Sequence, residues 1–322
     1  MNVDFCNSSA FKIESPELKE KIFIECESLF GVSLKRGHFP GPQPVTIEKK
    51  NIPTLKENYM VCEKTDGYRA ILLLINIDNK PMCFIINRNN ELYFTDLSFK
   101  KEVFEGSIFD GEIIKTKKGS WNFLIHDCMC YNGTSFLDLS HRLRYACIID
   151  FIIKRYVNKE TDCFNIKTKL FYKYGDQLEK TWEHITSTPE NNIDGLIFTP
   201  VEHGIKFGRD YSLFKWKEPG NHTIDFLVKM ENKKLNLYGI KKSELFIFKT
   251  LSKENEKSVI NFTKEHSKQL KEPGIIIEFK VANEIYTPFR LRLDKDKPNG
   301  EITIKNTLIN IAESLTINDL IV

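Results

Sequence analysis

An unbroken apolar run at residues 70–75 (AILLLI) is too short to cross a bilayer and predicts a buried strand. Upstream, Leu18, Ile22, Ile24 and Phe30 follow Ser15-Pro16-Glu17, which predicts a helix capped by Ser15, with proline in its first turn, ending at Gly31. The segment Phe39-Pro40-Gly41-Pro42-Gln43-Pro44 can be neither helix nor central strand and predicts a structured loop. From residue 59 to about 126, short apolar runs alternate with turn signals such as Asn87-Arg88-Asn89-Asn90 and Lys117-Lys118-Gly119-Ser120, the pattern of successive strands. Helices are expected at about 139–156 and 176–185, and strands at 193–198 and 213–217.

Glu218-Pro219-Gly220-Asn221 then marks a hinge. Beyond it, short strands at 224–229, 235–238, 245–249 and 275–281 suggest a small barrel, with a helical tail at about 305–317. The Lys/Glu-rich stretch 251–271 reads as a solvated helix or loop, and no internal repeat is visible. The whole is an α+β pattern in two domains, 1–220 and 221–322.

Composition narrows the class only slightly. A net charge of +3 over 322 residues permits a polyanionic substrate without arguing for one. Eight cysteines include one close pair, Cys128 and Cys130, and no paired zinc-type spacing, which reads as reduced, mostly buried thiols of a cytosolic or nuclear protein. The start, MNVDFCNSSAF, lacks the basic-then-apolar order of a signal peptide, so a soluble intracellular protein is expected.

Chemistry enters with Lys64-Thr65-Asp66-Gly67-Tyr68-Arg69, which sets a lysine at the mouth of the buried strand. A lysine with its ordinary pKa of about 10.4 is almost wholly protonated near neutrality, so a nucleophilic one needs a cation close by, and Arg69 is the first candidate. Strand alternation puts Lys215 and Lys217 on one face with Phe214 and Trp216 on the other. It likewise puts Arg290, Arg292 and Asp294 on one face while Leu291 and Leu293 pack inward, and it pairs Asp110 with Glu112. Any one of these is also what an amphipathic surface strand gives. Together with the isolated carboxylates Glu112 and Asp194, which could hold a hard divalent cation, they suit transfer of a phosphorus centre.

These residues resemble the covalent nucleotidyltransferases, the group of mRNA-capping guanylyltransferases and ATP-dependent polynucleotide ligases. Residues 64–69 resemble the KxDGxR attachment motif, 109–113 the DGE motif, 123–133 (FLIHDCMCYNG) the nucleoside-binding motif, 194–197 the DGL[IV] motif and 215–217 the KxK motif, in the family's order. Residues 290–299 resemble the capping-type RxDKxxPN motif, and 39–45 the proline-containing segment upstream of the nucleophile in capping enzymes. The resemblance implies a nucleotidyltransferase domain of the ATP-grasp-like or ligase type, with antiparallel sheets and flanking helices, followed by an OB-fold barrel with a terminal helix. It implies an mRNA guanylyltransferase of the stand-alone fungal type, with an ATP-dependent RNA or DNA ligase as the alternative and a non-catalytic binding module as a third reading.

By the same resemblance, Lys64 attacks the α-phosphate of GTP and holds GMP until the 5′-diphosphate end of RNA takes it. Lys215 and Lys217 meet the α-phosphate, and Asp194 binds Mg²⁺ or Mn²⁺. Arg69, Arg88 and Glu112 hold the ribose, with Thr65 a further nucleotide contact. Arg290, Arg292, Asp294 and Lys295 meet the β and γ phosphates. His126 stands where the family carries a base-stacking aromatic, and Lys169, or Lys167 in its place, would reach guanine O6. A separate RNA 5′-triphosphatase, the tail of RNA polymerase II and a nuclear location are implied in turn.

Overall fold

The computed structural model describes the chain except Met1, Asn7, residues 35–37, Glu57, Thr188, residues 267–273, Asp294 and Val322, and every count below is of the described residues. They fall into two compact units. One holds 1–45, 53–216 and Ile321; the other holds 46–52 and 217–320.

The strand Tyr68–Ile77 lies inside a nine-stranded sheet, between Lys80–Asn87 and Ser107–Lys115 and antiparallel to both. Its apolar run is continuous because each face is covered. Ala70, Leu72 and Leu74 enter one core with Phe109, Phe123 and Phe151. Ile71, Leu73 and Ile75 enter another with Ile22, Cys26 and Phe30 of the helix Pro16–Phe30. That helix has the predicted ends: the Ser15 hydroxyl accepts from the Leu18 N–H, and Gly31 adopts a left-handed φ of 69°. Ile24, expected on its apolar face, is half exposed instead.

Beyond Ser107–Lys115 lies Trp121–Tyr131, to which the short strand Asn165–Thr168 adds in parallel. The helix His141–Lys154 buries Ile148 and Phe151 beside this sheet. A second sheet of the first unit has five strands in the order Tyr172–Lys173, Tyr59–Thr65, Ile193–Pro200, Gly208–Lys217 and Pro42–Thr46. Part of the proline-rich loop is therefore strand, at the sheet's edge, where a residue without an N–H costs no ladder bond. The preceding sequence signals also missed the 3₁₀ segment Lys49–Lys56, which carries Pro53 within it, and the strands Asn2–Phe5, Ser8–Lys12, Asn165–Thr168 and Tyr172–Lys173, each of five residues or fewer and too short to show a period.

The second unit is an antiparallel sheet in the order Glu244–Thr250, Lys234–Lys241, Thr223–Glu231, Ile275–Ala282 and Ile285–Leu291. Phe226, Phe279 and Leu237 form its core. Within the Lys/Glu-rich stretch, Lys253–Glu265 is a helix capped by Ser252, but it is not solvated all round, for Val259 and Thr263 are buried. The last helix spans Glu301–Glu313, earlier than expected: Gly300 caps its start and Ser314, at φ 47°, turns the chain out of it. Leu293 corrects another expectation. The strand ends at Leu291, and Leu293 is 73% exposed, so the alternation that would have buried it has already stopped.

No described helix is long and apolar enough to cross a membrane. All eight cysteines are free, and burial pushes the Cys62 and Cys130 thiols up to about 12, as expected of inert packing groups.

Candidate active site

Lys64 and Arg69 belong to different sheets. Tyr59–Thr65 lies in the five-stranded sheet and Tyr68–Ile77 in the nine-stranded one, so Asp66 and Gly67 carry the chain across. The Asp66 N–H donates to Asn192 O at 2.9 Å. At Gly67 a Cβ would lie 2.6 Å from Ile113 O and 2.9 Å from Glu112 Cγ, so contact, not handedness, demands glycine.

The strand partner of Tyr59–Thr65 is Ile193–Pro200, and their register shifts between Ile193 and Gly195, leaving Asp194 facing no residue. Such an irregularity re-aims a side chain. Here it brings Asp194 Oδ1 to 2.5 Å from Lys64 Nζ, with each side chain about a fifth exposed.

Arg69 does not serve as a bare cation beside Lys64. Its Nε donates to Asp110 Oδ1 at 3.0 Å, Nη2 bonds Asp110 Oδ2, Nη1 bonds Pro42 O, and the guanidinium lies 5.0 Å over the Phe39 ring. Its charge is matched by a fully buried carboxylate. Burial alone would raise the Asp110 carboxyl, but Arg69, followed by His126, outweighs it and holds Asp110 well below the usual carboxylate range.

Beneath Lys64 sits a second charged layer. Lys169 is only 4% exposed and its Nζ donates to Glu112 Oε2 at 2.8 Å, Thr65 Oγ1 at 2.9 Å and Glu63 O at 3.3 Å. The Thr65 hydroxyl itself donates to Glu112 Oε2. Lys169, expected at the base, thus has its three hydrogens engaged in the floor of the site, whereas Lys167 is half exposed and 3.8 Å from Glu190. Burial works to raise Glu112 and lower Lys169; their mutual attraction reverses both, lowering the acid and raising the amine.

His126 also sits at a slip in register, between Asp110 and Gly111 of the facing strand. Its Nε2 is 3.4 Å from Asp110 Oδ1, the side chain is a quarter exposed, and Nδ1 is buried without a hydrogen-bond partner among the described residues. Next to it, Asp127 is clamped by Arg144, whose Nε and Nη2 reach its two oxygens at 2.6 and 3.0 Å while Nη1 binds His203 O at 2.8 Å and Leu139 O. Arg144 escaped the sequence reading. Its signal is an arginine on the core-facing side of a helix.

Arg88 lies on the turn after Lys80–Asn87, its pKa lowered first by desolvation of the guanidinium and then by Arg69. On Gly208–Lys217, Phe214 and Trp216 are buried against Tyr59 and Trp182, so Lys215 projects from the opposite face, with Lys217 following in alternation. That face is also the one from which Lys64 projects, since Tyr59 lies an odd number of residues before it on its strand.

In the second unit Arg290, Arg292 and Lys295 gather on two buried carboxylates, Asp225 and Glu278, neither of which the sequence reading named. Asp294 lies outside the described residues.

A family model described as mRNA capping enzyme, catalytic domain, matches residues 12–219. The chain belongs to the mRNA capping enzyme family. Its relatives include the mRNA-capping enzyme subunit alpha of Schizosaccharomyces pombe, 32% identical over 60% of this chain and 54% of that one. The subunit alpha of Candida glabrata is 29% identical over 88% of this chain and 79% of that one, and the mRNA-capping enzyme of Mus musculus 28% identical over 86% and 48%. The chain spans about half the length of the first of these relatives. Among solved structures, a mycobacterial DNA ligase D complexed with ATP and MES aligns over 81% of this capping-family chain and 97% of its own, at 12% identity and a TM-score of 0.45.

Proposed function

We propose that the chain is an mRNA guanylyltransferase, which moves GMP from GTP through a lysyl-GMP intermediate to the 5′-diphosphate end of RNA. The observation that carries this reading is Lys64 at the crossing between two sheets, 2.5 Å from Asp194 and above the Thr65–Glu112–Lys169 layer. In the first step the Lys64 amine forms a P–N bond to the α-phosphorus, the bond to the bridging oxygen breaks, and pyrophosphate leaves with that electron pair. In the second, a terminal phosphate oxygen of the RNA attacks the same phosphorus and the lysine departs.

On this reading each residue takes a role in the reaction. Arg69 and Glu112, paired across two interior strands of the nine-stranded sheet and fixed by Asp110 and Lys169, hold the ribose, and Arg88 offers its guanidinium from the turn beside them. Lys215 and Lys217 stabilise charge on the α-phosphate. His126 stacks on or binds the base, with Nδ1 as its unspent polar atom. Arg290, Arg292, Asp294 and Lys295 serve the departing phosphates.

No set of three or more His, Cys, Asp or Glu side chains forms a metal cage among the described residues. A lone carboxylate nonetheless fits a small hard cation that keeps most of its waters and shares phosphate oxygens. Bound at Asp194, Mg²⁺ or Mn²⁺ would offset phosphate charge and draw the carboxylate away from Lys64, favouring the neutral amine.

We read the second unit as an OB-fold: three antiparallel strands, a helix and a hairpin, with Thr223–Glu231 paired to both Lys234–Lys241 and Ile275–Ala282. The partners this function calls for are a separate RNA 5′-triphosphatase and the tail of RNA polymerase II, in the nucleus. The deciding experiment incubates the protein with α-labelled GTP or ATP and a divalent cation, then denatures it. Label should stay on the chain from GTP and be absent in Lys64→Ala; retention from ATP alone would make the chain a ligase instead.

A further inference from the structure

Asp225 and Glu278 face each other directly across Thr223–Glu231 and Ile275–Ala282, at 4% and 7% exposure. Like charges so placed repel, and buried ones need partners. The segment that begins at Arg290 supplies them. Arg292 Nη1 lies 3.1 and 3.0 Å from the two oxygens of Asp225, and Lys295 Nζ bonds Asp225 Oδ2. Arg290 Nε donates to Glu278 Oε2 at 2.8 Å, and the Thr223 hydroxyl to Oε1 at 2.5 Å.

The main chain repeats the attachment. The Asp225 N–H donates to Asn299 Oδ1 and the Asn299 N–H to Asp225 O, both at 2.8 Å. Arg292 N–H donates to Ile276 O at 2.9 Å, and Lys295 N–H to Arg292 O at 3.2 Å. Residue 225 is thus held by the segment from both its side chain and its backbone.

One oxygen, Asp225 Oδ2, accepts from both Arg292 and Lys295 and so fixes two cations about one centre. Lys295 is a third exposed and Arg290 over half, so both still present N–H donors to solvent. Cations held in place before the reaction need no reorganisation when charge develops.

We propose that Asp225 is a positioning residue that presents Arg292 and Lys295 as one preset pair to the departing pyrophosphate. The proposal rests on the guanylyltransferase reading, and it predicts an effect confined to one step. Pyrophosphate leaves during formation of the lysyl-GMP adduct and is absent when GMP passes to RNA.

The test measures both steps separately in the full chain, by rapid-quench adduct formation from labelled GTP and by single-turnover transfer from isolated adduct to 5′-diphosphate RNA. Asp225→Asn should slow adduct formation about tenfold or more while transfer stays within about twofold of the parent. Equal slowing of both steps would mark a merely structural residue, and an unchanged first step would mark an idle one; either result overturns the proposal. Should Asp225→Asn fail to fold, Asp225→Glu carries the same test, because its carboxylate, one methylene longer, displaces the cation pair while keeping its charge. Absence of any adduct from GTP in the parent protein would instead overturn the guanylyltransferase reading itself.

Discussion

Lys169 and Glu112 form a buried ion pair at 2.8 Å on the nine-stranded sheet, and the Lys169 ammonium reaches from there to the strand of the five-stranded sheet that carries the candidate nucleophile. The same ammonium holds Glu63 O and Thr65 Oγ1, the neighbours of Lys64 on either side. Lys169→Met should therefore leave Glu112 buried and unmatched and destabilise the protein by about 3–5 kcal/mol in urea unfolding, with adduct formation falling as well. Lys167→Met, at an exposed position, should stay within about 0.5 kcal/mol.

Asp194 separates stability from chemistry. Its pair with Lys64 is partly exposed, so Asp194→Asn should cost about 1 kcal/mol or less in thermal unfolding. Adduct formation should fall about a hundredfold, with a higher divalent-cation concentration needed for half-maximal rate. A variant that formed adduct at the parent rate with the same cation dependence would remove Asp194 from the chemistry.

The Arg69–Asp110 pair makes stability depend on pH in a defined direction. The folded Asp110 carboxyl is held below its ordinary value of about 3.9, so its contribution is complete above that value and is lost as pH falls through the folded value. Glu112, also lowered, acts in the same sense. Asp110→Asn should cost about 3–5 kcal/mol near neutral pH by leaving Arg69 uncompensated, and the gap between variant and parent should narrow below about pH 4. Urea titrations at several pH values check it; a gap that widened in acid would contradict the assignment.

Gly67→Ala places a methyl group against Ile113 O. A loss of about 1–3 kcal/mol is expected from overpacking, together with slower adduct formation as the turn moves Lys64 relative to Arg69. Gly119→Ala is a useful contrast. Its Cβ meets nothing within 4 Å, but its φ of 89° strains any side chain, so it should lose stability while the adduct rate of the folded fraction is kept.

The sequence made contiguous features visible and hid those created by register. Residues 64–69 and 215–217 could be read directly because their function lies within a few residues of chain. The central strand was visible in its unbroken apolar run, which two cores explain. The shifts that turn Asp194 and His126 out of their ladders leave no local trace, since they depend on which residue of another strand lies opposite. Lys169 shows the same limit: nothing near position 169 announces Thr65 or Glu112. Asp225 did carry a signal, a carboxylate between Ile224 and Phe226 of a buried strand, but its meaning needed Glu278, residues away on the neighbouring strand.

The crossing at Asp66 and Gly67 gives the chain a gauge of fixed length. Lys64 is tied to Asp194 in one sheet and Arg69 to Asp110 in the other, and the span between them has no slack, because Gly67 already touches Ile113. A residue added there would change the spacing between these two charged pairs. The motif is thus a measured interval as well as a set of side chains, and its length is as much a part of the site as its lysine.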